Sequence, residues 1–118
     1  MHSIVILVTK PPYGSEHTYG ALYTAIASIE IGLRTTLILL DDGVYVAVKD
    51  QASETALGYP SCEELLRRIL SDSQALVDET SLLERGLVRE RLVQGIAVTP
   101  RDRLVEALST EGEAVITY

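Results

Sequence analysis

The sequence has no phenylalanine and no tryptophan, one cysteine and one methionine. A core without the two largest apolar rings must be built from Leu, Ile, Val and Ala, helped by some of the six tyrosines. The single cysteine, Cys62, excludes an intrachain disulfide and a cysteine-based zinc cluster within one chain. Basic residues are also scarce: ten Lys and Arg face seventeen Asp and Glu, for a net charge of −7. That balance opposes direct nucleic-acid binding, which depends on neutralising phosphates. Long hydrophobic runs are absent. The apolar run at residues 4–8 is too short for a targeting segment or a membrane span, so a cytoplasmic chain with no membrane partner is expected. His2 and His17 do not form a metal-ligand pattern, and no glycine-rich nucleotide fingerprint occurs. Neither a cofactor nor a metal is expected.

What is present suffices for a packed core. The chain has 118 residues, 47% of them apolar, which predicts one domain over residues 1–118. Residues 4–8 are a continuous apolar run, the pattern of a strand buried on both faces of a parallel sheet. Pro11-Pro12-Tyr13-Gly14 punctuates its end. Tyr19, Leu22, Tyr23, Ile26, Ile29 and Leu33 then recur at helical spacing, with Ser15 and Thr18 as candidate caps and Gly32 as the stop. Glu30 is the only charged residue in that helix from residue 18 onward. A helix with so little charge is covered on more than one side, either by a loop or by another subunit.

Residues 36–40 read as a second buried strand, followed by the turn Asp41-Asp42-Gly43. Residues 44–48 have the propensity of a returning hairpin strand. Ser61-Cys62-Glu63-Glu64 is a capping box opening a helix that carries Leu65, Leu66, Ile69 and Leu70. Residues 75–77 are a third strand, and a short helix ending at Gly86 follows. Residues 96–98 are a fourth strand, Thr99-Pro100 caps and starts a helix to Leu108, and residues 114–117 are the last strand. This alternation predicts an α/β fold, a parallel sheet with helices on both faces in flavodoxin/Rossmann-like layering.

In open α/β sheets, ligands bind beyond the carboxyl ends of the strands. That rule selects residues 10–15, 41–43, 78–81 and 99–101. The first stretch, with Tyr13, Gly14 and Ser15, is the longest and leads into a helix N-terminus. Asp41 and Asp42 read as a turn, and Asp78 with Glu79 as a cap for the short helix. Cys62 lies just after a cap, a position that lowers a thiol pKa, while Glu63 and Glu64 oppose the thiolate. It reads as a structural cysteine at a helix start, away from the strand ends, and so only as a weak catalytic candidate.

Four segments carry a family resemblance: Ile4-Val5-Ile6-Leu7-Val8-Thr9 with Pro12-Tyr13-Gly14, then Leu39-Leu40-Asp41-Asp42-Gly43-Val44-Tyr45, then Leu82-Leu83-Glu84-Arg85-Gly86-Leu87, and the last strand running to Tyr118. In this order and spacing the chain resembles the DsrE/DsrF-like family of sulfur-relay proteins, most closely the TusC/DsrF subunit type. The resemblance implies a five-stranded, mostly parallel sheet, and a short helical turn at residues 44–48 in place of the hairpin. It implies a cytoplasmic homo- or hetero-oligomer with DsrE- and DsrH-like (TusD- and TusB-like) subunits, serving tRNA thiolation or sulfur oxidation. In sulfur-carrying members a cysteine stands at the end of the third strand. Counting back from Gly86 puts Asp78 there, and a carboxylate cannot hold a persulfide. The resemblance therefore implies an accessory subunit, with Tyr13, Gly14, Ser15, Asp42 and Asp78 as a ligand or partner surface. The alternatives are a sulfurtransferase using Cys62 and a homo-oligomeric protein that binds a small ligand.

Overall fold

Five parallel strands order as β4-β3-β2-β1-β5 in a computed structural model that describes residues 2–12, 16–49 and 61–118. In chain order the elements are β1 (Ser3–Val8), α1 (Glu16–Glu30), β2 (Arg34–Leu39), a 3-10 helix (Asp41–Ala47), α2 (Cys62–Asp72), β3 (Gln74–Asp78), α3 (Glu79–Glu84), a short 3-10 turn (Arg89–Arg91), β4 (Ala97–Thr99), α4 (Arg101–Glu111) and β5 (Val115–Thr117). The sheet is all-parallel, and helices lie on both of its faces. The first strand is internal: Val5 pairs with Thr36 of β2 on one side and with Val115 of β5, an edge strand, on the other.

The period-two alternation of β1 divides the core. Ile4, Ile6 and Val8 point to one face, where Leu37, Leu39 and Val77 join Leu22 and Ala25 of α1 and Leu66 and Ile69 of α2. Val5 and Ile38 point to the other face, where Leu104 of α4 is buried against them. The side chains at the centre are aliphatic; Tyr19, Tyr45 and Tyr118 pack only at its margin.

Several local expectations are corrected. Thr18 is not a cap. It sits inside α1, fully buried, and its hydroxyl donates to the carbonyls of Lys10 and Pro11 at 3.2 and 2.8 Å, tying the loop after β1 to the helix. The other candidate cap, Ser15, lies outside the described residues, as do Tyr13 and Gly14. Thr99 does not cap α4 either: its hydroxyl turns back to the Ala97 carbonyl at 2.9 Å, and Pro100 holds the cap position without a side-chain hydrogen bond. Residues 44–47 are helical, as the family resemblance implied and against their strand propensity, and the helix begins earlier, at Asp41. Strand propensity loses there because the chain must fold under β2 to bury Val44 and Val46, and only Val48 makes an isolated antiparallel bridge, to Leu92.

Two glycines are required by geometry. Gly32 ends α1 at φ +90°, a left-handed conformation that closes the helix end with the Leu33 amide donating to Ser28 O. Gly43 lies against the end of β1, where a Cβ would come within 2.0 Å of the Val8 carbonyl oxygen.

Candidate functional site

The carboxyl ends of β2, β3 and β4 converge on one charged side chain. Asp78 is the last residue of β3 and the N-cap of α3, so the strand delivers it and the helix start supplies donors. Its Oδ2 accepts from the Ser81 amide at 3.1 Å and from the Ser81 hydroxyl at 2.6 Å. Arg101, the first residue of α4, adds Nε and a terminal nitrogen, each at 3.1 Å from the same oxygen. The Ser81 hydroxyl in turn accepts from the Asp41 amide at 2.9 Å. That bond fixes the end of β2, where Asp41 takes φ +52°, a left-handed conformation that Asp tolerates better than most residues.

The result is a lopsided carboxylate. Asp78 is fully buried, Oδ2 carries four contacts, and Oδ1 has no hydrogen-bond partner. A buried oxygen left without a donor costs about 1–3 kcal/mol. Burial works to raise the carboxyl pKa, but the hydrogen bonds from Ser81 and Arg101 and the guanidinium charge outweigh it, and the net direction is down. Asp78 is thus a buried, ionised acceptor, expected to act by binding and orienting and not as a proton donor.

Asp42 stands beside this centre and not in it. Its side chain is largely exposed and pairs with Arg85 at 3.1 Å, while Arg85 also donates to the Ser81 carbonyl at 3.2 Å. The structure therefore links Asp42 and Asp78 through Ser81 and Arg85. Tyr13, Gly14 and Ser15 lie outside the described residues, though the residues flanking them reach the same end of the sheet.

Cys62 requires a correction of place. Expected away from the strand ends, it lies at that same end, because a helix returning between parallel strands starts over their carboxyl termini. Ser61 caps α2 as expected, accepting from the Glu64 amide at 3.1 Å. The thiol is fully buried and donates to the Pro12 carbonyl at 3.7 Å. Burial pushes its pKa up to about 11, with a hydrogen bond to Tyr19 opposing, so at neutral pH it is a thiol and not a thiolate.

Ser81 and Arg101 were in the stretches that the strand-end rule selects, but nothing in the sequence singled them out. One signal was available for Arg101. A cation at the first position of a helix opposes the helix dipole, so an Arg there asks for a carboxylate nearby. Among the described residues no group of three His, Cys, Asp or Glu side chains is placed to hold a metal ion. No helix among them is long and apolar enough to cross a membrane.

Comparison with known proteins gives a consistent answer. The model of the DsrE/DsrF-like family matches residues 2–118. The uncharacterised protein MJ0989 of Methanocaldococcus jannaschii is 31% identical over 114 residues, 96% of each chain. The uncharacterised protein MK0008 of Methanopyrus kandleri is 26% identical over 98% of this chain and 93% of its own length. The crystal structure of the YchN protein from E. coli superposes with a TM-score of 0.87 at 25% identity, covering both chains completely.

Proposed function

We propose, from the premise that this chain belongs to the DsrE/DsrF-like family, that it is an accessory subunit of a sulfur-relay complex and does not itself carry sulfur. Membership suggests a role related to sulfur relay, and such proteins generally work within multi-subunit complexes. The finer reading is a cytoplasmic DsrEFH/TusBCD-type assembly in which DsrE- and DsrH-like subunits are the partners and tRNA thiolation or sulfur oxidation is the end. One observation carries it: the end of β3, where the family resemblance implies a persulfide cysteine, holds Asp78, buried and engaged by Ser81 and Arg101. Sulfur transfer needs a thiolate nucleophile, and a carboxylate is not one. Asp78, with Asp42 and the loop at Tyr13, Gly14 and Ser15, would then shape a surface completed by a neighbour.

The alternative of a sulfurtransferase has one observation in its favour, since Cys62 lies at the functional end of the sheet. Its burial and raised pKa weigh against it. Intact-mass measurement after exposure to a persulfide donor separates the two. The accessory reading expects no stable added sulfur on the folded chain. A sulfur adduct that disappears in Cys62→Ser would overturn it. Co-purification from native cells with DsrE- and DsrH-like proteins is the second expectation, and a homo-oligomer alone would favour a ligand-binding protein.

A further inference from the structure

The two edges of the sheet are built differently. At β4 the Thr99 hydroxyl turns back onto the Ala97 carbonyl at 2.9 Å, and Pro100, which has no N–H, follows. Both features discourage a further strand. β5 has neither. Residues 114–118 include no charged side chain, proline or glycine, and Val115, Ile116 and Thr117 are all exposed. The phase of its bonds to β1 is fixed: Val5 N–H donates to Ala114 O, Tyr118 N–H to Leu7 O and Thr9 N–H to Tyr118 O. With Val5 opposite Val115 and Leu7 opposite Thr117, a parallel ladder of that phase turns residues 114, 116 and 118 toward β1. Val115 and Thr117 therefore point both N–H and C=O away from the sheet.

We propose that β5 pairs antiparallel with β5 of a second copy of this chain, across a twofold axis that passes between the two Ile116 residues. The outward groups are symmetric about Ile116, so Val115 of each copy meets Thr117 of the other, and each such pair exchanges both of its hydrogen bonds. Ile116 then stands opposite itself as the non-hydrogen-bonded pair, in which side chains approach most closely. Charge favours the same occupant. Copies of a chain with net charge −7 repel one another, so a self-contact needs a neutral seam. β5 is neutral, and so are Gly20 and Thr24, the α1 residues that meet Tyr118. The antiparallel register also carries Glu113 of each copy toward the end of the other's β1, where Lys10 is exposed. β2 and β1 separate β5 from β3, so this pairing leaves the Asp78 end of the sheet open and does not rest on the accessory-subunit reading.

Sedimentation of the purified full chain, combined with amide hydrogen exchange, tests the proposal. A concentration-dependent dimer is expected. On dimerisation the Val115 and Thr117 amides should exchange at least about tenfold more slowly, while those of Ile116 and Tyr118, already bonded to β1, change little. Ile116→Lys and Ile116→Glu each place like charges on the axis and weaken association by at least about tenfold. An equimolar mixture of the two restores the dimer. Thr117→Pro removes only an outward N–H and weakens association as well, and protection of the Val5 and Thr9 amides in each variant reports an intact β1–β5 ladder. A parent chain that stays monomeric at millimolar concentration overturns the proposal and leaves the edge to another partner or to none. So does an oligomer in which Val115 and Thr117 exchange as freely as in the monomer. An Ile116→Lys chain that associates like the parent, or a mixture of folded variants that stays monomeric, has the same consequence. None of these results touches sulfur uptake by Cys62, on which the accessory reading stands or falls.

Discussion

On one face of the sheet, Ile6, Val8, Leu37 and Leu39 meet two helices, a 3-10 segment and a continuous aliphatic core. On the other face, Val5 and Ile38 meet one helix, whose buried anchor is Leu104, and a cavity remains beside it. Both faces are built by the same alternating strands, so strand sequence does not make the difference. The helices do. α2 spaces Leu65, Leu66 and Ile69 on its buried side, while α4 offers Leu104 and Leu108 among exposed charges. The first face invests in stability. The second leaves space next to a buried charge.

Gly43→Ala is the most disruptive change, because the tight face has no slack at the end of β1. A Cβ 2.0 Å from the Val8 carbonyl oxygen forces the backbone apart, and a loss of about 4 kcal/mol or more is expected in urea unfolding. The paired truncations come next. Leu66→Ala should cost about 4 kcal/mol and Leu104→Ala about 2 kcal/mol, since a site beside a cavity already lacks part of its packing. Equal losses would mean that the faces are equally packed.

Asp78→Asn separates the two faces through pH. The folded carboxyl titrates below its unfolded value of about 3.9, so its contribution is present at neutral pH and is lost as pH falls through the folded pKa. The gap in urea midpoint between the parent chain and Asp78→Asn should be constant above about pH 5 and shrink below about pH 4. Amides of α4 should also exchange faster in the variant than those of α2, because Arg101 loses the partner that pins α4 to β3. The smallest effect belongs to Arg68→Ala. Its bond to Glu30 joins α2 to α1 at 2.7 Å, but both side chains are more than half exposed, and less than about 0.5 kcal/mol is expected. A larger loss would show that surface charge, and not packing, holds the tight face.

Much of the fold was legible because it is locally encoded. The apolar run of β1, the capping box at Ser61 and the stops at Gly32 and Gly86 each depend on a few neighbouring residues, and each lies where it was expected. Misreadings occurred where a side chain chose a distant or backward partner. Thr18 reaches the carbonyls of Lys10 and Pro11 instead of its own helix start. At residues 44–47 strand propensity pointed to a hairpin, while the family resemblance pointed to the helical turn that buries Val44 and Val46. The site was half legible. Asp78 stands out by its place at a strand end. Its partner Arg101 is on another element, and only the sheet order β4-β3 brings the two together. The place of Cys62 follows from the direction in which the helix after β2 must run, which its position in the sequence alone does not express.

The sheet order β4-β3-β2-β1-β5 also bears on how the chain is made. The first of the five strands is internal to the sheet, and one of its two neighbours is the fifth. On a ribosome, β1 can pair with β2 early, but its other edge stays bare through the synthesis of α2, β3, β4 and α4. A β-branched, uncharged strand with an unpaired edge is a template for another nascent copy. The interval before β5 arrives is therefore when this chain is most exposed to misassembly, and slowing elongation after β2 should cost soluble yield more than slowing it after β5.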